Sequence, residues 1–324
     1  MEIDRDPGEI MREIVEKLRD KSPKELLSYA IFNEKDEAKY YAELAEKAGR
    51  PSVKALFIKM SEESKYHRDW LYNLFKKLYP AEEPVKVDAP PVEVAPFYPE
   101  FESVEDYLSA LNYCMESELF AKRTYELLAR MADDEETRGL ALTLAAVEEK
   151  HYEQIRKMYE LMITEKEQKI TPSKLEPGGY LFTDETKARY FLIDLAGSGV
   201  KLYTLVRENP EKFLRMFLGL DVKVLWITKT GMGNSVPPAE VPALREKLCN
   251  FIGKGLETGE KRAVFIQNLG YLAVELGFKG MMDVVLYLKD CAVLGGGYLI
   301  ATAPKDSFER KEWALLTSEL RRVS

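Results

Sequence analysis

Histidine and cysteine are scarce in this chain, at two and three residues in 324. The cysteines, Cys114, Cys249 and Cys291, lie far apart and form no C-x-x-C pair. That argues against a disulfide framework, a zinc ribbon or an iron–sulfur cluster and suits a reducing cytosol. Long apolar runs are also missing, since none approaches the roughly 18 residues of a spanning helix. The opening MEIDRDPGEIMREI has no basic stretch leading into an apolar core, so no signal peptide is read there and the expected location is the cytoplasm. Positive charge is in deficit as well: 47 Lys and Arg face 55 Asp and Glu, a net charge of −8. Nothing in that balance favours nucleic acid or an anionic membrane as a partner.

What is present is 46% hydrophobic residues, enough for two ordinary packed cores. Up to about residue 168 the apolar residues recur at three and four positions, with few internal Gly or Pro, which predicts an all-helical segment. A short helix is expected over 7–20. SPKE at 22–25 then supplies a Ser cap, a Pro at the first helical position and a Glu two further on. That second helix should run to Ala48, where GRPS at 49–52 stops it and starts a third, ending near Leu78. Residues 80–99 hold six prolines and cannot be helical. Extended at about 3.1 Å per residue, they reach on the order of 60 Å, the length of a bundle. SVED at 103–106 caps a helix to Ala132, and DDEE at 133–136 opens the last. Two helical hairpins joined by one long crossover have the connectivity of ferritin-like bundles.

The two hairpins repeat. Shifting the first by 84 positions lays NEKDEAKYYAELAEKA (33–48) over SELFAKRTYELLARMA (117–132), matching Glu34 with Glu118 and Tyr41 with Tyr125. Without a gap, MSEESKYHRDWL (60–71) falls on LAAVEEKHYEQI (144–155), so His67 and His151, the two histidines of the chain, are repeat mates. Each first helix therefore offers a carboxylate and each second an imidazole. Glu148 and His151, three residues apart, share a helix face. Glu34, Glu118, Glu148, His67 and His151 are then aimed at one interior point, the pattern of di-iron and di-manganese carboxylate bundles. The carboxylate expected at position 64 is missing, replaced by Ser64. Glu37, one turn after Glu34 on the same face, is read as its relocated substitute; its mate, Ala121, cannot bind metal. Glu63, beside the gap, is a possible extra ligand, whereas Glu62, Glu116 and Glu149 are read as solvent-facing. Four carboxylates and two imidazoles suit two iron ions, or manganese, more than magnesium.

The runs NEKDEAKYY, SELFAKRTY and VEEKH resemble the rubrerythrin branch of the ferritin-like superfamily, over residues 23–165. The resemblance implies a non-haem di-iron oxidoreductase, a peroxidase reducing hydrogen peroxide or a ferroxidase oxidising ferrous iron. It also implies that Tyr41 and Tyr125 hydrogen-bond ligand carboxylates, although both equally suit core packing. The chain departs from the family at Ser64, and without paired C-x-x-C it would need an external electron-transfer protein such as rubredoxin. The expected partners are that donor, peroxide or O2 as small-molecule substrate, and a second copy in a homodimer. The alternative is a redox or iron sensor signalling to the C-terminal half.

That half, expected over 171–324, alternates short β-rich runs at 180, 201, 223, 263 and 298 with helical stretches. The pattern predicts a mostly parallel α/β sandwich, so the whole is a two-domain α plus α/β chain split at 170. Pieces such as GYLFTDE (179), VLWIT (224) and NLGYLAVELGF (268) resemble an uncharacterised archaeal α/β domain, similar in outline to the RecA and KaiC core. TDETKARY (183–190) has none of the glycines of a phosphate loop, and Gln267 and Asn268 stand where a Walker B acid would. Nucleotide hydrolysis is not expected, and an interaction or sensing role is left.

Overall fold

The computed structural model describes residues 7–91, 98–132, 134–231 and 233–323. It divides into two compact units, Met1–Glu160 and Leu161–Ser324. The first is built of α1 (Pro7–Arg19), α2 (Pro23–Lys47), α3 (Pro51–Leu78), α4 (Val104–Met131) and most of α5 (Glu135–Gln168). Among the described residues, no helix is long and apolar enough to cross a membrane.

The helix starts follow local chemistry. Ser22 and Glu25 form a reciprocal capping box on α2, and Ser103 with Asp106 does the same on α4; each such cap satisfies amides that have no partner inside the helix. Of the DDEE signal, Asp133 lies outside the described residues, and Asp134 accepts from the Thr137 amide at 2.7 Å. The turn between α2 and α3 is held by Tyr107 of α4, whose hydroxyl accepts from the Gly49 and Arg50 amides at 3.1 and 3.0 Å. The proline-rich crossover is non-helical where described; residues 92–97 of it lie outside the description. Val87 is buried in the bundle core beside Leu26 and Phe75, and the Pro90 carbonyl accepts from Tyr29 at 2.6 Å. The crossover is thus packed on the helices rather than free.

The second unit carries a seven-stranded, all-parallel sheet in the order β4-β3-β2-β5-β6-β1-β7. Its strands are β1 (Gly178–Phe182), β2 (Lys201–Val206), β3 (Val222–Ile227), β4 (Ser235–Val236), β5 (Arg262–Ile266), β6 (Tyr298–Thr302) and β7 (Arg321–Val323). Between them run α6 (Glu185–Gly197), α7 (Pro210–Arg215), α8 (Arg245–Thr258), α9 (Leu269–Leu294) and α10 (Arg310–Glu319). The five longer strands are those expected from sequence. β4 and β7, at two and three residues, are too short to show a period. Pairing register sets Leu181, Ala301, Ile266, Leu205 and Leu225 in one row across five strands, all within one buried cluster. Burial of this kind is what parallel strands require. The end of α5 groups with this unit, where Arg321 donates to the Gln168 carbonyl at 2.8 Å.

Cys249 on α8 and Cys291 on α9 are joined in a disulfide across a sequence separation of 42, which corrects the expectation of unpaired cysteines. Sequence spacing carries no record of which helices pack together, and these two do. The first amides of α6 are taken by its own cap, Asp184, whose Oδ1 accepts from Thr186 and Lys187 at 2.8 and 3.0 Å.

Candidate metal centre

Four helices of the first unit bring the six proposed ligands together. α2 contributes Glu34 and Glu37, α3 His67, α4 Glu118, and α5 Glu148 and His151. All but His67 are buried, with Glu34, Glu37, Glu118 and Glu148 at 3–6% exposure and His151 at 0%. Glu37, Glu118, Glu148 and His151 each place one ligand-type atom within 4.8 Å of the others. His151 Nδ1 lies 3.3 Å from Glu37, 3.6 Å from Glu118 and 3.8 Å from Glu148. Beside this group His67 Nδ1 is 3.6 Å from Glu34 Oε1, and the two imidazole rings are 5.3 Å apart between centroids.

Ser64 is fully buried but turns its hydroxyl back to the Met60 carbonyl at 2.9 Å, leaving nothing to offer the interior. Glu37 reaches the cluster from the opposite helix. Glu63 does not: its carboxylate accepts from Gln154 at 2.7 Å and Lys150 at 3.3 Å, so the extra-ligand reading is replaced by an outer polar network. Gln154, one turn beyond His151 on α5, is a member the sequence reading missed, and that spacing was the available signal. Glu62, Glu116 and Glu149 are not among the buried ligand carboxylates. Tyr41 donates its hydroxyl to Glu118 Oε1. Tyr125 is buried in the bundle core instead, and it does not bond Glu34, both of whose oxygens lack a hydrogen-bond partner.

The electrostatics are those of carboxylates and imidazoles crowded together away from water. Burial, then the neighbouring Glu37, holds the Glu34 carboxyl well above its usual range. Burial and Glu118 raise Glu37, and burial with Glu37 and Glu118 raises Glu148 strongly. For Glu118, burial pushes upward but is outweighed by the His151 imidazole close beside it, with help from Glu148 and Tyr41, so it falls below the usual value. Burial disfavours the His151 cation, yet Glu37 and Glu118 overcome it and raise this imidazole well above normal. Burial and the adjacent His151 lower His67 to about 4. Burial thus favours the protonated forms of Glu34, Glu37 and Glu148, while Glu118 and the His151 imidazole favour each other's charged forms.

Protons are poor substitutes here. Both oxygens of Glu34, Oε1 of Glu37, Nδ1 of His67 and both nitrogens of His151 are buried without a hydrogen-bond partner. Each such atom costs about 1–3 kcal/mol, an arrangement a fold keeps only if something else satisfies it. Oxygen and imidazole donors around one point, on rigid helices, fit iron or another first-row divalent ion.

Against known families, residues 25–159 match rubrerythrin. The N-terminal half carries a rubrerythrin domain. The rubrerythrin family normally binds iron, and the buried Glu/His cluster of this bundle could hold a metal. Residues 181–320, beyond the rubrerythrin domain, match a protein of unknown function (DUF835). A solved structure titled "Hypothetical Protein Pfu-1136390-001 From Pyrococcus furiosus" is 32% identical, covering 46% of this chain and 95% of its own, with a TM-score of 0.39. None of the curated proteins matches the chain.

Proposed function

We propose that the rubrerythrin domain is a di-iron oxidoreductase that reduces hydrogen peroxide with electrons from an external donor protein. The observation that carries this reading is the buried set of four carboxylates and two imidazoles, several of whose ligand atoms have no hydrogen-bond partner. Glu37, Glu118, Glu148 and His151 would hold one ion, and Glu34 and His67 beside them would help hold a second. Bound there, the metal pair would supply the two electrons that, with two protons, convert peroxide to two waters.

The chain's own residues shape that chemistry. Tyr41, by donating to Glu118 Oε1, fixes that carboxylate and leaves Oε2 facing His151 at 3.6 Å. Packed helices keep bulk water from the cluster, so its charges act in a low dielectric where they count for more. Burial favours the protonated forms of Glu34, Glu37 and Glu148, so these carboxyls would be able to hold protons for the reaction. The cysteines form no C-x-x-C, which supports a separate rubredoxin-type protein as the donor.

Anaerobic iron loading followed by elemental analysis and peroxide turnover tests the reading. Two ions per chain and many turnovers with a rubredoxin-type donor are expected. Fewer than two ions would sink the dinuclear assignment. A single stoichiometric oxidation without turnover would shift the case to a sensor.

A further inference from the structure

Tyr41 does more than hold Glu118, because it begins a line of phenols that ends in solvent. Its ring centroid lies 5.6 Å from that of Tyr40. Tyr40 is 5.5 Å from Tyr98, which meets it edge-on at 75°. Tyr98 stands at the end of the crossover and is 39% exposed. Its hydroxyl donates to Glu43 Oε2 at 2.6 Å, the short distance of a hydrogen bond to a charged acceptor. Adjacent helical residues point to different faces. Tyr41 therefore faces the cluster while Tyr40, half-buried beside it, presents its ring to the crossover, which lays Tyr98 against it.

We propose that Tyr41, Tyr40 and Tyr98 form a one-electron relay that discharges an oxidising equivalent from the carboxylate cluster at the protein surface. The relay rests on the iron-based function above, and the vacancy it discharges arises when peroxide, which takes two electrons, meets a centre that can supply only one and no donor protein is present. Tyr41 fills the vacancy with one electron while Glu118 holds its phenolic proton. An electron from Tyr98 then crosses Tyr40 and restores Tyr41. As it leaves, the Tyr98 O–H bond breaks and its proton passes to Glu43 Oε2, forming a carboxyl O–H. The Lys47 ammonium, 5.1 Å from the Tyr98 ring centroid, disfavours a positively charged ring, so electron and proton must leave together, and Glu43 is placed to take the proton. The products are a neutral Tyr98 phenoxyl, a protonated Glu43 and a centre reduced by one electron. A small thiol from solution returns a hydrogen atom to Tyr98, becoming a thiyl radical, and Glu43 releases its proton to water. Outward discharge is the direction phenols permit, since they yield electrons only to strong oxidants and do not carry those of a weakly reducing donor.

The test uses the full chain loaded with iron, its metal content measured, and treated with peroxide without a donor. Radicals are read by freeze-quench paramagnetic resonance with ring-deuterated tyrosine, and exposed radicals by spin-trap adducts mapped by mass spectrometry. A tyrosyl radical and an adduct at Tyr98 are expected. Tyr98→Phe and Tyr40→Leu should each lower the surface adduct at least tenfold with iron content unchanged, and Tyr40→Leu should leave the radical on Tyr41. Glu43→Gln, at an exposed position, should slow radical appearance at Tyr98 several-fold. Iron-loaded protein that consumes peroxide with no radical, or with an adduct indifferent to Tyr40→Leu, overturns the relay. Protein that takes up no iron overturns the functional reading beneath it.

Discussion

Glu37 owes its place in the site to a pattern written in sequence spacing. The 84-residue repeat leaves an empty carboxylate position at Ser64, and helix spacing puts Glu37 on the same face as Glu34. The fold places it 3.3 Å from His151. Glu37→Ala should therefore lower iron occupancy far more than Glu62→Ala, measured by elemental analysis after anaerobic loading; equal and small effects would remove Glu37 from the site. A pH effect follows from the same residues. Glu34, Glu37, Glu148 and His151 are shifted upward, so a cation binding among them competes with protons. Binding of divalent ions should release protons, and occupancy should rise with pH. Calorimetry in buffers of different ionisation enthalpy reads the release directly; none would contradict that competition. Glu63 was not readable in this way, because only packing reveals that Gln154 and Lys150 hold its carboxylate.

At the scale of elements, the helix ends were legible because caps are local. Ser22 with Glu25 and Ser103 with Asp106 act within three residues. Strands β4 and β7 were not, since two or three residues carry no period and owe their existence to the neighbours they pair with. Seams between elements are equally non-local. A Cβ on Gly297 would sit 2.5 Å from the Arg262 carbonyl oxygen and 2.8 Å from Ile252. Gly297→Ala should destabilise the second unit by about 1–3 kcal/mol, as overpacking does, in a denaturant titration. The Cys249–Cys291 bridge, spanning 42 residues of sequence, should contribute about 2–4 kcal/mol by restricting the unfolded chain. Cys249→Ser compared with the oxidised protein in the same titration measures it, and an unchanged midpoint would show that the bridge contributes nothing.

For the molecule as a whole, two compact units with separate cores predict two unfolding transitions. Iron should raise only the bundle's transition, by about 2.7 kcal/mol at a free concentration one hundred times the dissociation constant. ATP should move neither, because Asp184 already holds the α6 amides. Scanning calorimetry checks both, and a shift of the second transition by ATP would reopen nucleotide binding there. The sequence by itself determined the two periods, the repeat, the paired histidines and the missing phosphate loop, all of which are written in spacing along one chain. Tertiary structure decided which cysteines meet, where Glu63 turns, that Tyr125 packs in the core while Tyr41 bonds Glu118, and that a line of tyrosines runs to the surface. The physical reason is one of range: periodicity and caps report forces acting over a few residues, while these contacts join side chains that only packing brings within reach.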